Sequence, residues 1–594
     1  MPWHARPATF GGMASKETIP VESLAAAEAG ASGGRVSALV PGLRMLATYR
    51  SAWLPRDVLA GLVLTALLVP QGMAYAELAG LPAITGLYTS ILCLTAYAVF
   101  GRSRILVLGP DSSLGPMIAA TILPLIGAGG DPQRAIALAS MLALLVGTII
   151  ALGGLLKLGF IADLISKPTM IGYMNGLALT ILVGQLPKLF GFSVDADGFI
   201  PELKGFVNGL FDGETVAAAL AVGLLALITI AVLARVLPKI PAVLVAVVLS
   251  IAAASFFELQ QHGVDLVGTL PQGFPPLTFP GIDLSDMSLL IAGAFGIAIV
   301  ALADTIATAS AFASRTGQEF DGNQEMIGIG AANIGAGLFQ GFPVSTSGSR
   351  TAVAERAGAK TQVTGLVGAL AIVLMLVFAP GLLRNLPQPT LAAVVIAASL
   401  SLADLPGVRR LRRQNRDDFL LSTAAFLGVV LLGVLPGIAV AVALSIANVF
   451  RRAWRPYQAV LGRVPDEEGY HDLAARPDGK PIPGLVMLRF DAPLFFANAT
   501  TFRDRIRALA AADPPPRWIV VAAEPITDVD TTAADMLEEL DEEINAKGVS
   551  LVFAEMKGPV RRKIERYGLT RTIDPNHFFP SLEAAVDAFR RETP

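Results

Sequence analysis

Long apolar runs separated by short polar breaks fill the first three quarters of the chain. Stretches without a charged residue cover 58–76, 84–101, 112–130, 135–156, 168–187, 215–234 and 240–257. After a polar interval they resume at 287–303, 326–349, 361–383, 385–403 and 419–450. About 20 apolar residues form a helix long enough to cross the hydrocarbon of a bilayer. The last run is interrupted by Leu435-Pro436-Gly437 and reads as two helices, because proline ends a helix and glycine turns the chain. A further helix is expected near 347–357. The pattern therefore predicts about 14 transmembrane helices, an even number that leaves both chain ends on one side.

Charge marks the boundary of a second region. Lys and Arg number 45 and Asp and Glu 48, and 40 of these fall in the last 139 positions. The tail is thus about 29% charged, as a water-soluble domain is, and the remainder about 12%. The expected division is a segment 1–52 without fixed structure, a membrane domain 53–455, a polar linker 456–482 and a folded domain 483–594. Met13 is a candidate start, and a short helix near 44–53 is expected on the membrane surface. The first 55 residues lack the basic start and apolar centre of a signal peptide.

Composition agrees. The 594 residues are 53% hydrophobic and 16% charged, and mean hydropathy is +0.61. A net charge of -3 gives no general attraction to nucleic acid. One cysteine and four histidines exclude an intrachain disulfide and leave little for a zinc site. No nucleophile–base or metal constellation supports an enzyme, and no cofactor is expected beyond a sodium ion considered below. The cluster Arg409, Arg410, Arg412, Arg413 and Arg416 and the later Arg451, Arg452 and Arg455 lie on the side of the chain ends in a 14-helix count. Positive residues favour the cytoplasm, so both termini are expected there, in a plasma membrane of the bacterial inner-membrane type.

Two segments break the helical pattern in corresponding places. One is Ile105-Leu-Val-Leu-Gly-Pro-Asp-Ser-Ser-Leu-Gly-Pro116, the third membrane element. The other is Phe342-Pro-Val-Ser-Thr-Ser-Gly-Ser-Arg-Thr351, the tenth. Each reads as a short extended piece, a proline, a cluster of hydroxyls and then a helix. Seven elements separate them, as in two inverted repeats. Interrupted apolar segments in matching places point to a transport site at the membrane midplane. Two helix N-termini facing each other offer backbone N–H groups to an anion.

The stretch Pro70-Gln-Gly-Met-Ala-Tyr-Ala-Glu-Leu-Ala-Gly-Leu-Pro82, with Gly86-Leu-Tyr-Thr-Ser90 and Phe100-Gly-Arg-Ser-Arg104, resembles the signature of the SulP family of sulfate-permease-like anion transporters. Asp321-Gly-Asn-Gln-Glu325 and Gly341-Phe-Pro-Val-Ser-Thr-Ser-Gly-Ser-Arg350 are similar to further motifs of that family. The resemblance implies 7+7 inverted-repeat helices arranged as core and gate domains, a homodimer, elevator-like alternating access and a C-terminal STAS domain. The tail fits an α/β domain by itself, with strands expected at 485–490, 518–522 and 549–554 and helices at 498–511 and 531–546.

The site residues follow. Arg350 lies in the first turn of the tenth helix, where a charge at membrane depth needs a cavity or a partner. By resemblance it stands beside the anion, with Ser347, Gly348 and Ser349 at the helix N-terminus; the alternative is an ion pair with Asp111 or Glu355. Gln71 and Tyr75 match positions that line the family's anion pocket. Asp111 and Ser112 lie at the start of the facing helix, and Asp111 either caps that helix or takes part in ion coupling. Asp304 interrupts an apolar run, and Thr308 is one turn later on the same face. A carboxylate in hydrocarbon binds a proton or a cation. By resemblance to sodium-dependent bicarbonate members of the family, where an Asp and Thr at this spacing hold sodium, and to proton-coupled members with an acid in this helix, the pair is the expected coupling site, for H+ or for Na+; the alternative is a structural hydrogen bond to a neighbouring helix. In the tail, Thr531 occupies the place of the phosphorylated serine of bacterial STAS proteins, the alternative being that Asp530 and Thr531 only cap a helix.

The expected activity is secondary transport of a small inorganic or organic anion with a coupled cation. Sulfate is favoured by resemblance, and bicarbonate and dicarboxylates stay open. The alternatives are a nucleobase–cation symporter of the same architecture and a transport-inactive membrane protein acting through a cytoplasmic partner of its STAS domain.

Overall fold

The computed structural model describes residues 40–592 apart from 127–129, 160–165, 195, 197, 238–239 and 317–319. The expectations for residues 1–39, Met13 among them, fall outside the described residues. The chain divides into two units at Val442 and Ala443.

The first unit is helical. After α1 (Pro41–Ala47) come α2 (Leu54–Leu78), α3 (Ala83–Phe100), α4 (Gly115–Ile126), α5 (Pro132–Leu155), α6 (Lys167–Phe190), α7 (Phe199–Phe211), α8 (Ala217–Val236) and α9 (Ala242–Phe256). Then follow α10 (Met287–Thr316), α11 (Gly322–Leu338), α12 (Gly348–Arg356), α13 (Val363–Phe378), α14 (Gln388–Leu402), α15 (Leu405–Gln414), α16 (Arg416–Leu432) and α17 (Val434–Trp454). Among the described residues eight helical stretches are long and apolar enough to cross a membrane, and α4, α9 and α13 are shorter apolar helices. The predicted surface helix near 44–53 is instead α1 and a short 3-10 turn at Ser51–Trp53. The break in the last run falls at Gly433, whose φ of +96° closes α16, while Pro436 sits inside the first turn of α17. Two helices went unpredicted, α7 and α15, because charged residues interrupt both.

Small residues let helices approach closely. A Cβ on Gly147 of α5 would stand 2.7 Å from the Gly330 carbonyl oxygen of α11. Buried carboxylates tie other helices together. Asp57, on α2, accepts hydrogen bonds from Lys360 N (2.7 Å), Thr361 Oγ1 (2.8 Å) and Thr364 Oγ1 (3.1 Å) at the start of α13. Glu325, on α11, accepts one from Tyr97 of α3 (2.5 Å).

Both interrupted segments contain the expected extended piece. β1 (Leu108–Gly109) and β2 (Ser345–Thr346) pair antiparallel, Leu108 opposite Thr346 and Gly109 opposite Ser345. Ser347 N extends the pairing to Val107 O at 3.1 Å. This short ladder brings the starts of α4 and α12 together although 230-odd residues separate them in sequence.

The second unit carries a six-stranded sheet of order β4-β3-β5-β6-β7-β8. Its strands are β3 (Gln458–Gly462), β4 (His471–Asp472), β5 (Leu485–Phe490), β6 (Trp518–Ala522), β7 (Ser550–Ala554) and β8 (Phe578–Phe579). β5 to β8 run parallel and β3 and β4 antiparallel. Helices α18 (Ala499–Ala510), α19 (Thr531–Asn545) and α20 (Gly558–Tyr567) cover one face, and α21 (Leu582–Glu592) covers the other. The strands and helices expected at 485–490, 518–522, 498–511 and 531–546 are present. The stretch 456–482, expected as a linker, supplies β3 and β4. Hydrogen bonds along β3 to both neighbours outweigh the polar composition of the hairpin that follows it.

Candidate functional site

α2 supplies one wall of a cavity of about 640 Å³, through Leu67, Gln71 and Tyr75. Asp111 and Ser112 enter it from the start of α4, Asp304 and Thr308 from α10, and Ser347, Gly348, Ser349 and Arg350 from the start of α12. All ten predicted membrane-site residues therefore share one cavity. Val394 and Ala397 of α14 close it on an apolar side.

Local chemistry sets the two helix starts. Ser347 is the N-cap of α12, its hydroxyl accepting from Arg350 N at 3.4 Å and lying 3.0 Å from Ser349 Oγ. Asp111 closes an Asx turn: its Oδ1 accepts from Ser113 N at 2.9 Å and from Ser113 Oγ at 2.8 Å. The Asp111 carboxylate thus holds the turn at 111–113, ahead of the first residue of α4, Gly115.

Arg350 is 1% exposed. Its nearest charge is Asp111, Nη2 to Oδ2 at 3.6 Å, and Nε, Nη1 and Nη2 all lack a hydrogen-bond partner. The alternative partner Glu355 pairs with Arg315 at 3.0 Å. A buried guanidinium with unused donors is costly by itself, since buried polar groups are normally hydrogen-bonded. Its fork matches the oxygen spacing of carboxylates and tetrahedral oxyanions. Arg356, which sequence reasoning missed, adds a second guanidinium at the cavity edge.

Two more residues escaped the sequence. Ser113, next to the predicted Ser112, has its hydroxyl 2.8 Å from Asp111 Oδ1 and 3.2 Å from Asp304 Oδ2, so it stands between the two carboxylates. An Asp two positions before a hydroxyl is the Asx-turn spacing and was the available signal. Gly109 supplies room: a Cβ there would lie 2.8 Å from Arg350 Nη1. Glycine inside a strand marks close approach by another group. Behind Asp304, Thr346 Oγ1 donates to Thr305 Oγ1 at 2.9 Å and joins β2 to α10. Thr308 lies against Gly348, 3.8 Å from where a Cβ would stand.

In the second unit Thr531 is exposed at the first position of α19. Asp530 is the cap, accepting from Ala533 N at 2.8 Å through one oxygen and from Phe496 N at 2.9 Å through the other. The neighbouring Asp528 carboxyl is held below its ordinary range by its hydrogen bond from Lys563.

Comparison with known proteins agrees with these features. The model of the sulfate permease family matches residues 54–425, and that of the STAS domain matches 476–585. A protein of Mycobacterium tuberculosis named as a probable sulfate transporter is 42% identical over 552 residues, 93% of this chain and 98% of the relative. The chloroplastic sulfate transporter 4.1 of Arabidopsis thaliana is 31% identical over 571 residues, 93% of this chain and 82% of the relative. The mouse Solute Carrier 26 family member A9 anion transporter, solved in its inward-facing state, is 25% identical with a TM-score of 0.86, over 99% of this chain and 100% of that one. With the family match spanning α2 to α16 and near-full-length relatives, this chain belongs to the sulfate permease family and is a multi-pass helical membrane protein with a C-terminal STAS domain.

Proposed function

We propose that the protein is a secondary active transporter that moves a small anion, sulfate in the first place, together with a coupled cation. The observation that carries this reading is Arg350, buried in the cavity with its guanidinium donors unused. A tetrahedral dianion placed between the starts of α4 and α12 would receive those donors and the partial positive charge of the α12 N-terminus. The names of the relatives from Mycobacterium and Arabidopsis support sulfate; bicarbonate and dicarboxylates fit the same donors.

Asp304 and Thr308 are the coupling pair in this reading, for H+ or Na+. Their common cavity with Arg350 supports it, because a bound cation offsets the charge the anion brings. Gln71 and Tyr75 shape the anion pocket, and Ser112 and Ser347 to Ser349 supply its polar lining. The architecture proposed is 14 membrane helices in 7+7 inverted repeats, a homodimer, and an elevator movement of the part that holds α4, α10 and α12. Both termini lie in the cytoplasm of an inner-membrane protein, the domain limits are 53–455 and 483–594, and Thr531 is the candidate modification or partner site of the STAS domain.

Uptake into proteoliposomes tests this directly. A panel of labelled anions is offered under separate proton and sodium gradients. Concentrative sulfate uptake driven by one gradient is expected. Uptake of none of the anions under either gradient refutes the reading.

A further inference from the structure

α15 is short, yet it carries four arginines, Arg409, Arg410, Arg412 and Arg413, and Arg416 opens α16. All five are exposed. Among the described residues none of them forms an ion pair. At about 100° per residue the four arginines of α15 sweep roughly 160° of its circumference. Gly407 and Leu411, on the other side, are buried where α15 packs against α6 and α16. Asp404 caps the helix, its Oδ1 accepting from Gly407 N at 2.7 Å. The helix is thus fixed by one face and presents guanidinium groups on the other.

Its place in the chain says what stands opposite. α14 before it and α16 after it are apolar, and Leu400, Leu405 and Leu420 around it are 56%, 58% and 55% exposed. Large exposed leucines on membrane helices contact acyl chains. α15 joins the ends of these helices, which is the level of lipid headgroups. A phospholipid offers both halves of the complement: acyl chains for the leucines and a phosphate for the arginine forks. We propose that α15 is a docking surface for anionic phospholipid, with Arg409, Arg410, Arg412 and Arg413 holding the headgroup phosphates. This is independent of the anion cavity, which shares none of these residues.

The full-length protein is purified in mild detergent, and its melting temperature is followed while phosphatidylglycerol or phosphatidylcholine is added; native mass spectrometry counts retained lipid. Phosphatidylglycerol is expected to raise the melting temperature by several degrees more than phosphatidylcholine, and anionic lipid to be retained. The combined variant Arg409→Gln, Arg410→Gln, Arg412→Gln and Arg413→Gln should lose both effects and still bind the transported anion. A version with lysine at the four positions keeps the charge and the fold and should retain part of the effect. If the glutamine variant does not fold, the pair Arg409→Gln and Arg413→Gln replaces it, with about half the shift expected. Equal responses to the two lipids in the wild type overturn the proposal. So does undiminished retention in the variants, and so does evidence by crosslinking that acidic residues of the chain itself cover the four arginines in the membrane.

Discussion

Asp304 on α10 and Asp111 at the start of α4 meet at one hydroxyl, Ser113 Oγ, 3.2 Å from the first and 2.8 Å from the second. A hydroxyl has a single hydrogen and can donate to only one of them. The other contact is favourable when a proton or cation joins the remaining oxygen. Anion site and coupling site are then linked, because Asp111 also faces Arg350 at 3.6 Å. Ser113→Ala is expected to leave anion affinity within a few-fold of wild type and to lower accumulation against a gradient strongly. Uptake and equilibrium binding measured on the same preparation check this. A variant that accumulates substrate like the wild type would show that the hydroxyl only closes the turn before α4.

Arg350→Ala removes the guanidinium but leaves the α12 N-terminus. Anion affinity should fall by roughly 1.5–3 kcal/mol, the usual worth of a hydrogen bond to a charged group. Gly109→Ala tests the same group from behind. Its methyl would stand 2.8 Å from Arg350 Nη1, so the fork must shift, and affinity should drop by a smaller factor without loss of folding. Isothermal titration with sulfate measures both. Unchanged affinity in folded Arg350→Ala would mean that the arginine serves only to balance Asp111.

Asp541 on α19 is 1% exposed, and burial raises its pKa to about 6, against which its hydrogen bond from Asn545 acts. Between about pH 4 and 6 the folded state therefore holds a proton that the unfolded chain, at the ordinary value of 3.8, has lost. The contribution of Asp541 to the stability of the STAS domain should fall as pH rises from about 4 to about 6 and stay level above. Asp541→Asn should raise stability at pH 7 and flatten that dependence. Hydrogen exchange of the β6 and β7 amides across this pH range reads both effects. A wild-type domain whose protection does not decrease over the interval would contradict the assignment.

The interrupted helices were legible because their signals are local. Proline, glycine and hydroxyl residues within a few positions dictate a strand, a turn, a cap and a helix start; Ser347 caps α12 and Asp111 closes an Asx turn before α4. Resemblance added Gln71, Tyr75, Asp304 and Thr308, which lie in the same cavity. Ser113 was missed because its second partner is 191 residues away, and no local rule says which of two adjacent serines faces α10. α7 was missed for a different reason: Glu202 and Lys204 fall within its 13 residues, so no uncharged run marks it. β3 and β4 do not stand out in composition, because the polar hairpin at 463–470 follows the few apolar positions of β3.

Topology follows from the positive-inside rule. Gln414, beside the arginine cluster, and Glu468, in the second unit, are both exposed. Cysteines placed at 414 and 468 should be labelled from the same side of the membrane. The native Cys93 is buried and should give little background. Labelling from opposite sides would remove the 14-helix reading, since that reading puts two crossings, α16 and α17, between these points.

Coupling is the most discriminating test. Asp304→Asn keeps the shape of the side chain and one carbonyl acceptor, but it cannot release a proton or offer a charge to sodium. Concentrative uptake should vanish. Anion binding and exchange down a gradient should survive, because Arg350 and the N-terminus of α12 are untouched. Thr308→Val separates the two cations. A hydroxyl can ligate a hard metal ion, which takes oxygen donors, whereas a proton needs only the carboxylate. Loss of accumulation in both variants identifies sodium, and loss in Asp304→Asn alone identifies the proton. If Asp304→Asn still accumulates substrate, its carboxylate is structural. Asp111, the other acid at Ser113, then becomes the group to replace, and Asp111→Asn in the same assay decides whether that turn couples the ion or only positions the start of α4.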